Sequence, residues 1–208
     1  MKKKNAEYNN MLVNNIHKHI VLEAPTADEL EKKLKKYETI LVKALTNLYE
    51  IHELTLGRDG FYHVTDNGSY QLALHFHFSG IHRKTIPYPQ QTIKDLEQLT
   101  MLESKKHHES PHVISAHLVQ ARDLKANEVT FEIDSLDKLE EAVCSRQRQA
   151  IEHLLDETRL ENISFLPVHR EENPDTGKIK ASMKYYYQTR NLTKNPDEHS
   201  VPEEPEDR

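Results

Sequence analysis

The residues with the clearest chemical potential are two histidines that alternate with two phenylalanines in His75-Phe76-His77-Phe78. Successive side chains of a β-strand point to opposite faces, so a strand here places both imidazoles on one face and both phenyl rings on the other. Two neighbouring imidazoles can fill two coordination positions of a metal ion such as Zn²⁺. A third ligand has to come from elsewhere, with Gln71 and His117 as the candidates.

This pattern resembles the His-hydrophobic-His strand of rolling-circle replication and relaxase-type nucleases. The resemblance implies a metal-dependent nuclease in which the histidine pair positions the metal and a tyrosine of Tyr185-Tyr186-Tyr187 attacks the DNA phosphate. The chain departs from the family pattern, because these tyrosines fall in a predicted strand and not in a helix with a lysine one turn on. Fourteen histidines in 208 residues also make a chance His-x-His pair easy to obtain. We therefore predict no bound metal and no cofactor, and we keep the nuclease as the alternative function.

Other catalytic templates fit less well. His63-Val64-Thr65 and His77-Phe78-Ser79 have the form of two-histidine phosphoesterase elements, but both lie in one predicted hairpin, too close together to flank a cleft. The chain has no Gly-x-Ser-x-Gly motif, no glycine-rich phosphate loop and no Cys-x-x-Cys. The single cysteine, Cys144, has no adjacent base to activate it and is predicted to be a structural thiol. The sequence thus predicts a protein that is not an enzyme.

The elements that position these residues are predicted to be three units, each an amphipathic helix followed by two strands. In the first unit, Thr26 and Glu29 form a capping box that starts a helix. Its core face consists of apolar residues at helical spacing: Leu30, Leu34, Tyr37, Leu41, Leu45 and Leu48. Gly57 and Gly60 are predicted to end this helical region with a turn. Strands over 61–65 and 70–79 then flank Asp66-Asn67-Gly68, a strong hairpin signal.

The second helix is predicted to start at Thr92 and to bury a set of apolar residues at helical spacing: Ile93, Leu96, Leu99 and Leu102. Its strands are predicted over 113–122 and 128–134. The third helix begins at Asp134 or Ser135 and ends before Asn162, and its strands are 163–170 and 178–188. Because hairpin-linked strands pair antiparallel, we predict an α+β fold with a mostly antiparallel sheet and helices packed on one face.

The two ends of the chain differ from its body. Residues 1–24 are predicted to form an N-terminal arm with one helical stripe, which consists of Met11, Leu12, Ile16 and either His19 or Ile20. The longest apolar run of this arm has three residues, too few for a signal peptide or a membrane span, so a cytoplasmic location without membrane insertion is expected. Residues 25–190 are predicted to be a single domain. Residues 191–208, with a net charge of −4, are predicted to be a disordered acidic tail.

The remaining features favour protein partners. A formal net charge of −6 argues against nucleic acid as a partner. In a strand, at least one of three consecutive tyrosines must face away from its neighbours, and tyrosine is well suited to protein interfaces. The centre of the third helix, Ser145-Arg146-Gln147-Arg148-Gln149, is polar. We therefore predict partner binding by five residues: Tyr185, Tyr186, Tyr187, Arg146 and Arg148.

The chain as a whole resembles the LvgA-type adaptors of the Dot/Icm type IV secretion coupling complex. The likeness is carried by the Met1-Lys2-Lys3-Lys4-Asn5 opening, the tryptophan-free body with one cysteine, and the Pro202-Glu203-Glu204-Pro205-Glu206-Asp207 end. It implies a non-catalytic, chaperone-like adaptor of a virulence-associated secretion complex. Such a subunit joins small acidic secretion chaperones to the C-terminal region of a coupling ATPase and helps to recruit effectors. No residue roles follow from this resemblance.

Overall fold

A computed structural model describes residues 13–58, 63–104, 124–157 and 159–190 of the protein. Within these ranges the chain forms three α-helices and eight β-strands, which confirms the predicted α+β class. The helices are α1 (Ala27–Leu48), α2 (Pro89–Leu102) and α3 (Leu139–Glu157). The strands are β1 (Val13–Ala24), β2 (Tyr49–Arg58), β3 (His63–Val64), β4 (Tyr70–His82), β5 (Lys125–Ile133), β6 (Arg159–Phe165), β7 (His169–Glu172) and β8 (Ile179–Arg190).

The strands form one sheet in the order β1-β4-β2-β6-β8-β5, with β3 paired to β4 and β7 paired to β8. Every pair is antiparallel, as predicted. In β4, residues Leu72, Leu74, Phe76 and Phe78 are buried, while the side chains between them are only half-buried. The buried side of the sheet packs against α1 and α3. The opposite side, which we call the open face, carries no helix among the described residues.

The sheet has two halves with the same order of elements. The first half is β1-α1-β2-β3-β4 and the second is β5-α3-β6-β7-β8, and in each the last strand pairs between the other two long strands. The halves join where Glu53–Thr55 of β2 pair with Asn162–Ser164 of β6. Of the predicted middle unit, the strand over 113–122 lies outside the described residues, and the strand over 128–134 corresponds to β5, which pairs with β8.

Helix α1 begins where its capping signal places it, but it ends at Leu48, nine residues before the predicted end signal at Gly57. Thr26 is the N-cap, and its hydroxyl accepts a hydrogen bond from the backbone N–H of Glu29 at 3.2 Å. The predicted apolar stripe is buried up to Leu45, and Leu48 is half-buried. None of the helices in the described ranges combines the length and the apolar composition that crossing a membrane requires.

Two strands were not predicted. The helical prediction for the N-terminal arm is wrong over 13–24, because these residues form β1 with Ile20 and Leu22 buried. Ile16 and Ile20 are four residues apart, a spacing that both a helix and a strand place on one face. The turn predicted at Gly57 is also wrong, because that residue lies inside β2. A bulge between Ile51 and Glu53 interrupts the two-residue alternation of β2 and hides it from a pattern search.

Helix α2 is rotated relative to its predicted orientation. It starts at Pro89, so Thr92 lies inside the helix and does not cap it. Its buried residues are Thr92, Asp95 and Leu99, whereas Ile93 and Leu96, predicted to be core residues, are 56% and 44% exposed. The rotation follows from a tertiary contact, since Thr92 Oγ1 accepts a hydrogen bond from Asn47 of α1 at 3.2 Å.

Candidate functional site

The three consecutive tyrosines of β8 alternate between the two sides of the sheet. Tyr185 is 4% exposed, and its hydroxyl accepts a hydrogen bond from the amide of Asn127 at 3.0 Å. Burial raises the pKa of Tyr185. Tyr187 is half-buried on the same side, with its ring centroid 5.9 Å from that of Tyr185. Tyr186 is 38% exposed on the open face, so it is the outward tyrosine of the three.

Small residues surround Tyr186 on the open face. Its neighbours across the strands are Ser164 of β6 and Ala126 of β5. Lys184, the preceding residue on the same face, forms an ion pair with Glu128 of β5 at 3.7 Å. The phenol ring therefore has no bulky cross-strand neighbour, and its surface is available for contact.

Polar side chains occupy the centre of the open face, where β2 meets β6. Asn162 donates hydrogen bonds from its side-chain amide to Glu53 Oε1 at 3.2 Å and to Thr55 Oγ1 at 2.8 Å. Ser164 lies beside them, within 3.5 Å of Asn162 Oδ1. These short side chains make a flat polar strip that separates Tyr186 from the histidines of the first half.

Four histidines lie together on the open face of the first half. The alternation predicted for β4 is confirmed. Phe76 and Phe78 are buried, while His75 and His77 lie on the other side of the sheet. Antiparallel pairing with β1 sets His17 opposite His77 and His19 opposite His75. The ring centroids are 4.3 Å apart in the first pair, which is stacked, and 3.6 Å apart in the second. We call these four residues the histidine patch.

Sequence reasoning missed the β1 half of this patch. His17-Lys18-His19 has the same His-x-His spacing as β4, but the residues around it were predicted as a helix. A strand prediction for residues 13–24 would have identified two alternating histidine pairs. Only the pairing of β1 with β4 brings them into contact.

The nuclease alternative requires a third metal ligand and a tyrosine near the histidine patch, and the described residues include some of the candidates. Within the described ranges, no three His, Cys, Asp or Glu side chains are arranged to hold a metal ion. Gln71, one predicted third ligand, is buried and donates a hydrogen bond to Glu23 at 3.0 Å, and His117 lies outside those ranges. Tyr186 lies three strands away from β4, which is about 14 Å at about 4.8 Å per strand.

The polar centre of α3 makes contacts inside the protein. Arg148 donates from Nε to Thr46 Oγ1 at 2.8 Å and also bonds the side-chain carbonyl of Asn47. Gln147 is buried against the backbone of β2. Arg146 is exposed, and its guanidinium lies 5.9 Å from the ring centroid of Phe131, on the helix side of the sheet. The polarity of this segment is therefore explained in part by contacts within the chain.

Cys144 has the properties of a structural thiol. Its side chain is buried, and Sγ lies 3.6 Å from the backbone carbonyl oxygen of Tyr49. Burial raises the pKa of the thiol to about 12, although the guanidinium of Arg83 opposes this shift. A thiolate nucleophile is not favoured in this environment.

Comparisons with known proteins identify no relative: the chain matches no protein-family model, no curated protein and no solved structure. Function is therefore inferred from the geometry of the described residues and from the character of the sequence.

Proposed function

We propose that the protein is a non-catalytic adaptor that binds other proteins, and that Tyr186 on the open face is a contact residue. The observation that carries the proposal is the exposed phenol ring of Tyr186 between Ser164 and Ala126. Tyrosine combines a large apolar ring with a hydroxyl, and such residues often dominate the energy of protein interfaces. A ring flanked by small side chains can enter a pocket of a partner without displacing its own neighbours.

The geometry ranks the other predicted contact residues below Tyr186. The ring of Tyr185 is a core side chain, and Arg148 is held by α1. Arg146 is exposed, but it lies on the helix side of the sheet. A partner that covers Tyr186 on the open face is therefore not expected to reach Arg146 as well.

The proposed setting is a type IV secretion coupling complex in the cytoplasm, where the subunit takes part in effector recruitment. The support is the likeness of the whole sequence to LvgA-type adaptors, from the lysine-rich opening to the acidic end. In this setting the partners are small acidic secretion chaperones and the C-terminal region of a coupling ATPase.

The test is quantitative affinity capture from native cells, with identification of the co-purifying chains. Tyr186→Ala is expected to reduce partner recovery at least tenfold, which corresponds to about 1.4 kcal/mol of binding free energy. Leu136→Ala, at an exposed apolar residue before α3, is the matched control and is expected to leave capture unchanged. Both variants should keep the wild-type melting temperature, since neither removes a core contact.

Two results would contradict the proposal. If Tyr186→Ala and Leu136→Ala retain the same amount of partner, the phenol ring is not a contact. If DNA co-purifies in place of stoichiometric protein partners, the nuclease alternative gains support over the adaptor.

A further inference from the structure

Helix α2 exposes two aliphatic side chains that were predicted to be buried, and two of its three buried residues are polar. Ile93 and Leu96 are among the exposed large hydrophobic residues of the protein, whereas Thr92 and Asp95 are buried. Single exposed apolar residues are ordinary on protein surfaces. A helix that buries Thr92 and Asp95 while it leaves Ile93 and Leu96 exposed has apolar surface that a partner can cover.

The contacts of α2 show which way this apolar surface faces. Leu102 packs against the core, and the next residue, Glu103, accepts a hydrogen bond from the Tyr37 hydroxyl at 2.9 Å and bonds Lys18 of β1. At about 100° per residue, Ile93 projects about 180° from Leu102. Ile93 thus lies on the outer side of α2, away from the sheet, and Leu96 lies between Ile93 and the buried Thr92, where it is 44% exposed.

A row of lysines borders this apolar surface on the neighbouring helix. Lys32, Lys36 and Lys43 of α1 are all exposed. On a helical projection they lie within about 60° of Asn47, the α1 residue that is hydrogen-bonded to α2. They also lie opposite the α1 residues that pack on the sheet, such as Leu41. The lysine row and the apolar pair therefore share the outer surface of the helical layer.

We propose that this surface binds an amphipathic helix of another protein whose apolar face is bordered by acidic side chains. Ile93 and Leu96 supply the apolar contact, and the lysine row supplies charge complementarity to the acids. A second copy of the chain is a poor occupant, because twofold packing of this surface on itself brings the two lysine rows together. The acidic segment 191–208 is also a poor occupant, since Leu192 and Val201 are its only large aliphatic residues.

This surface is separate from the open face that carries Tyr186. The helical layer lies on one side of the sheet and Tyr186 on the other, so two partners can bind at the same time. An adaptor requires two such surfaces, but the binding of an acidic helix does not depend on the contact at Tyr186. The two proposals can therefore fail independently.

The experiment uses the full-length protein and two synthetic amphipathic peptides as probes. Both peptides carry leucines at helical spacing, one with flanking glutamates and the other with flanking lysines, and binding is followed by fluorescence anisotropy. The glutamate peptide is expected to bind at least tenfold more tightly than the lysine peptide. The double variant Ile93→Ser/Leu96→Ser should lose at least tenfold in affinity, and Lys32→Glu/Lys36→Glu should abolish the preference for glutamate.

Matched controls come from other parts of the protein. Lys178→Glu/Lys180→Glu alters two exposed lysines of the second half and should leave the preference unchanged. Tyr186→Ala should also leave peptide binding unchanged, which separates this test from that of the adaptor contact. Because Ile93 and Leu96 are exposed, the serine variant is expected to keep its melting temperature.

Four results would overturn the proposal. The first is failure of the glutamate peptide to bind wild-type protein, and the second is equal affinity for both peptides. The third is self-association in sedimentation that the serine variant abolishes, because the occupant is then a second copy. The fourth is a melting temperature lowered by several degrees in the serine variant, because other residues of the chain then cover Ile93 and Leu96.

Discussion

The side chain of Gln147 takes the place of a neighbouring strand for part of β2. Strand β6 pairs with β2 only from Glu53 to Thr55, so Ile51 lies beyond that pairing. Gln147 of α3 fills the gap: its Oε1 accepts from the Ile51 N–H at 2.9 Å, and its Nε2 donates to the Ile51 carbonyl oxygen at 2.7 Å. The side chain is 2% exposed, so water cannot replace it.

Substitution of Gln147 by leucine is expected to destabilise the protein strongly. Leucine retains an apolar side chain of similar bulk but leaves two buried backbone groups of Ile51 without partners. Each unsatisfied buried group costs about 1–3 kcal/mol, so the free energy of unfolding should fall by about 2–6 kcal/mol. This is a large part of the roughly 5–15 kcal/mol that stabilises a typical domain.

Equilibrium urea denaturation measures this loss directly. Gln149→Leu is the matched control, because Gln149 lies two residues away on the same helix and is exposed. Its side chain accepts a hydrogen bond from the exposed Arg146 and makes no bond to Ile51 among the described contacts. The control should change the free energy of unfolding by less than about 0.5 kcal/mol. Equal effects of the two substitutions would refute the reasoning, because Ile51 would then not depend on Gln147.

Four further predictions follow from the charges, burial and composition described above. Burial and the nearby carboxylate of Glu140 raise the pKa of Glu50, so ionised Glu50 costs stability above its folded-state pKa. Glu50→Gln should therefore raise the melting temperature at pH 7, and this gain should vanish at a pH below the ordinary Glu pKa of about 4.3. The Cys144 thiol, with its pKa raised to about 12, should react with a thiol reagent far more slowly in native protein than in urea, and equal rates would show that it is accessible. Deletion of 193–208 should leave the melting temperature nearly unchanged, whereas a fall of many degrees would show that this segment stabilises the domain. Elemental analysis should find no stoichiometric transition metal, and about one Zn, Mn or Co per chain that disappears on alanine substitution of the histidine patch would contradict this.

Local signals in the sequence were sufficient to predict the start and the buried face of α1 and the fold class. The capping box at Thr26 and the leucine stripe behind it act within a few residues of each other, so no knowledge of the rest of the chain is needed. The turn at Asn67-Gly68 is equally local, and Gly68 adopts the positive φ of 81° that the turn favours. Helices followed by hairpin-linked strands then imply an antiparallel sheet.

The predictions failed where one local pattern fits two structures. The apolar spacing of residues 13–24 suits a helix as well as the strand β1 that forms. In β2 the bulge after Ile51 breaks the alternation on which strand prediction depends. In α2 the apolar periodicity is present, but hydrogen bonding of Thr92 to Asn47 rotates the helix away from it. Each outcome depends on a contact with a segment that is distant in the chain.

In the candidate sites, too, one part follows from the local sequence and another part only from the tertiary structure. Strand geometry alone requires at least one outward tyrosine among Tyr185, Tyr186 and Tyr187, because alternate side chains face opposite sides. The choice of Tyr186 depends on the tertiary structure, in which Tyr185 packs against Phe165 with ring centroids 5.5 Å apart. The histidine patch likewise exists only because β1 pairs with β4, and the lysine row borders the apolar surface only because α2 packs beside α1. Side-chain alternation is a property of the local backbone, whereas the face that becomes buried is set by the pairing and packing of segments far apart in the chain.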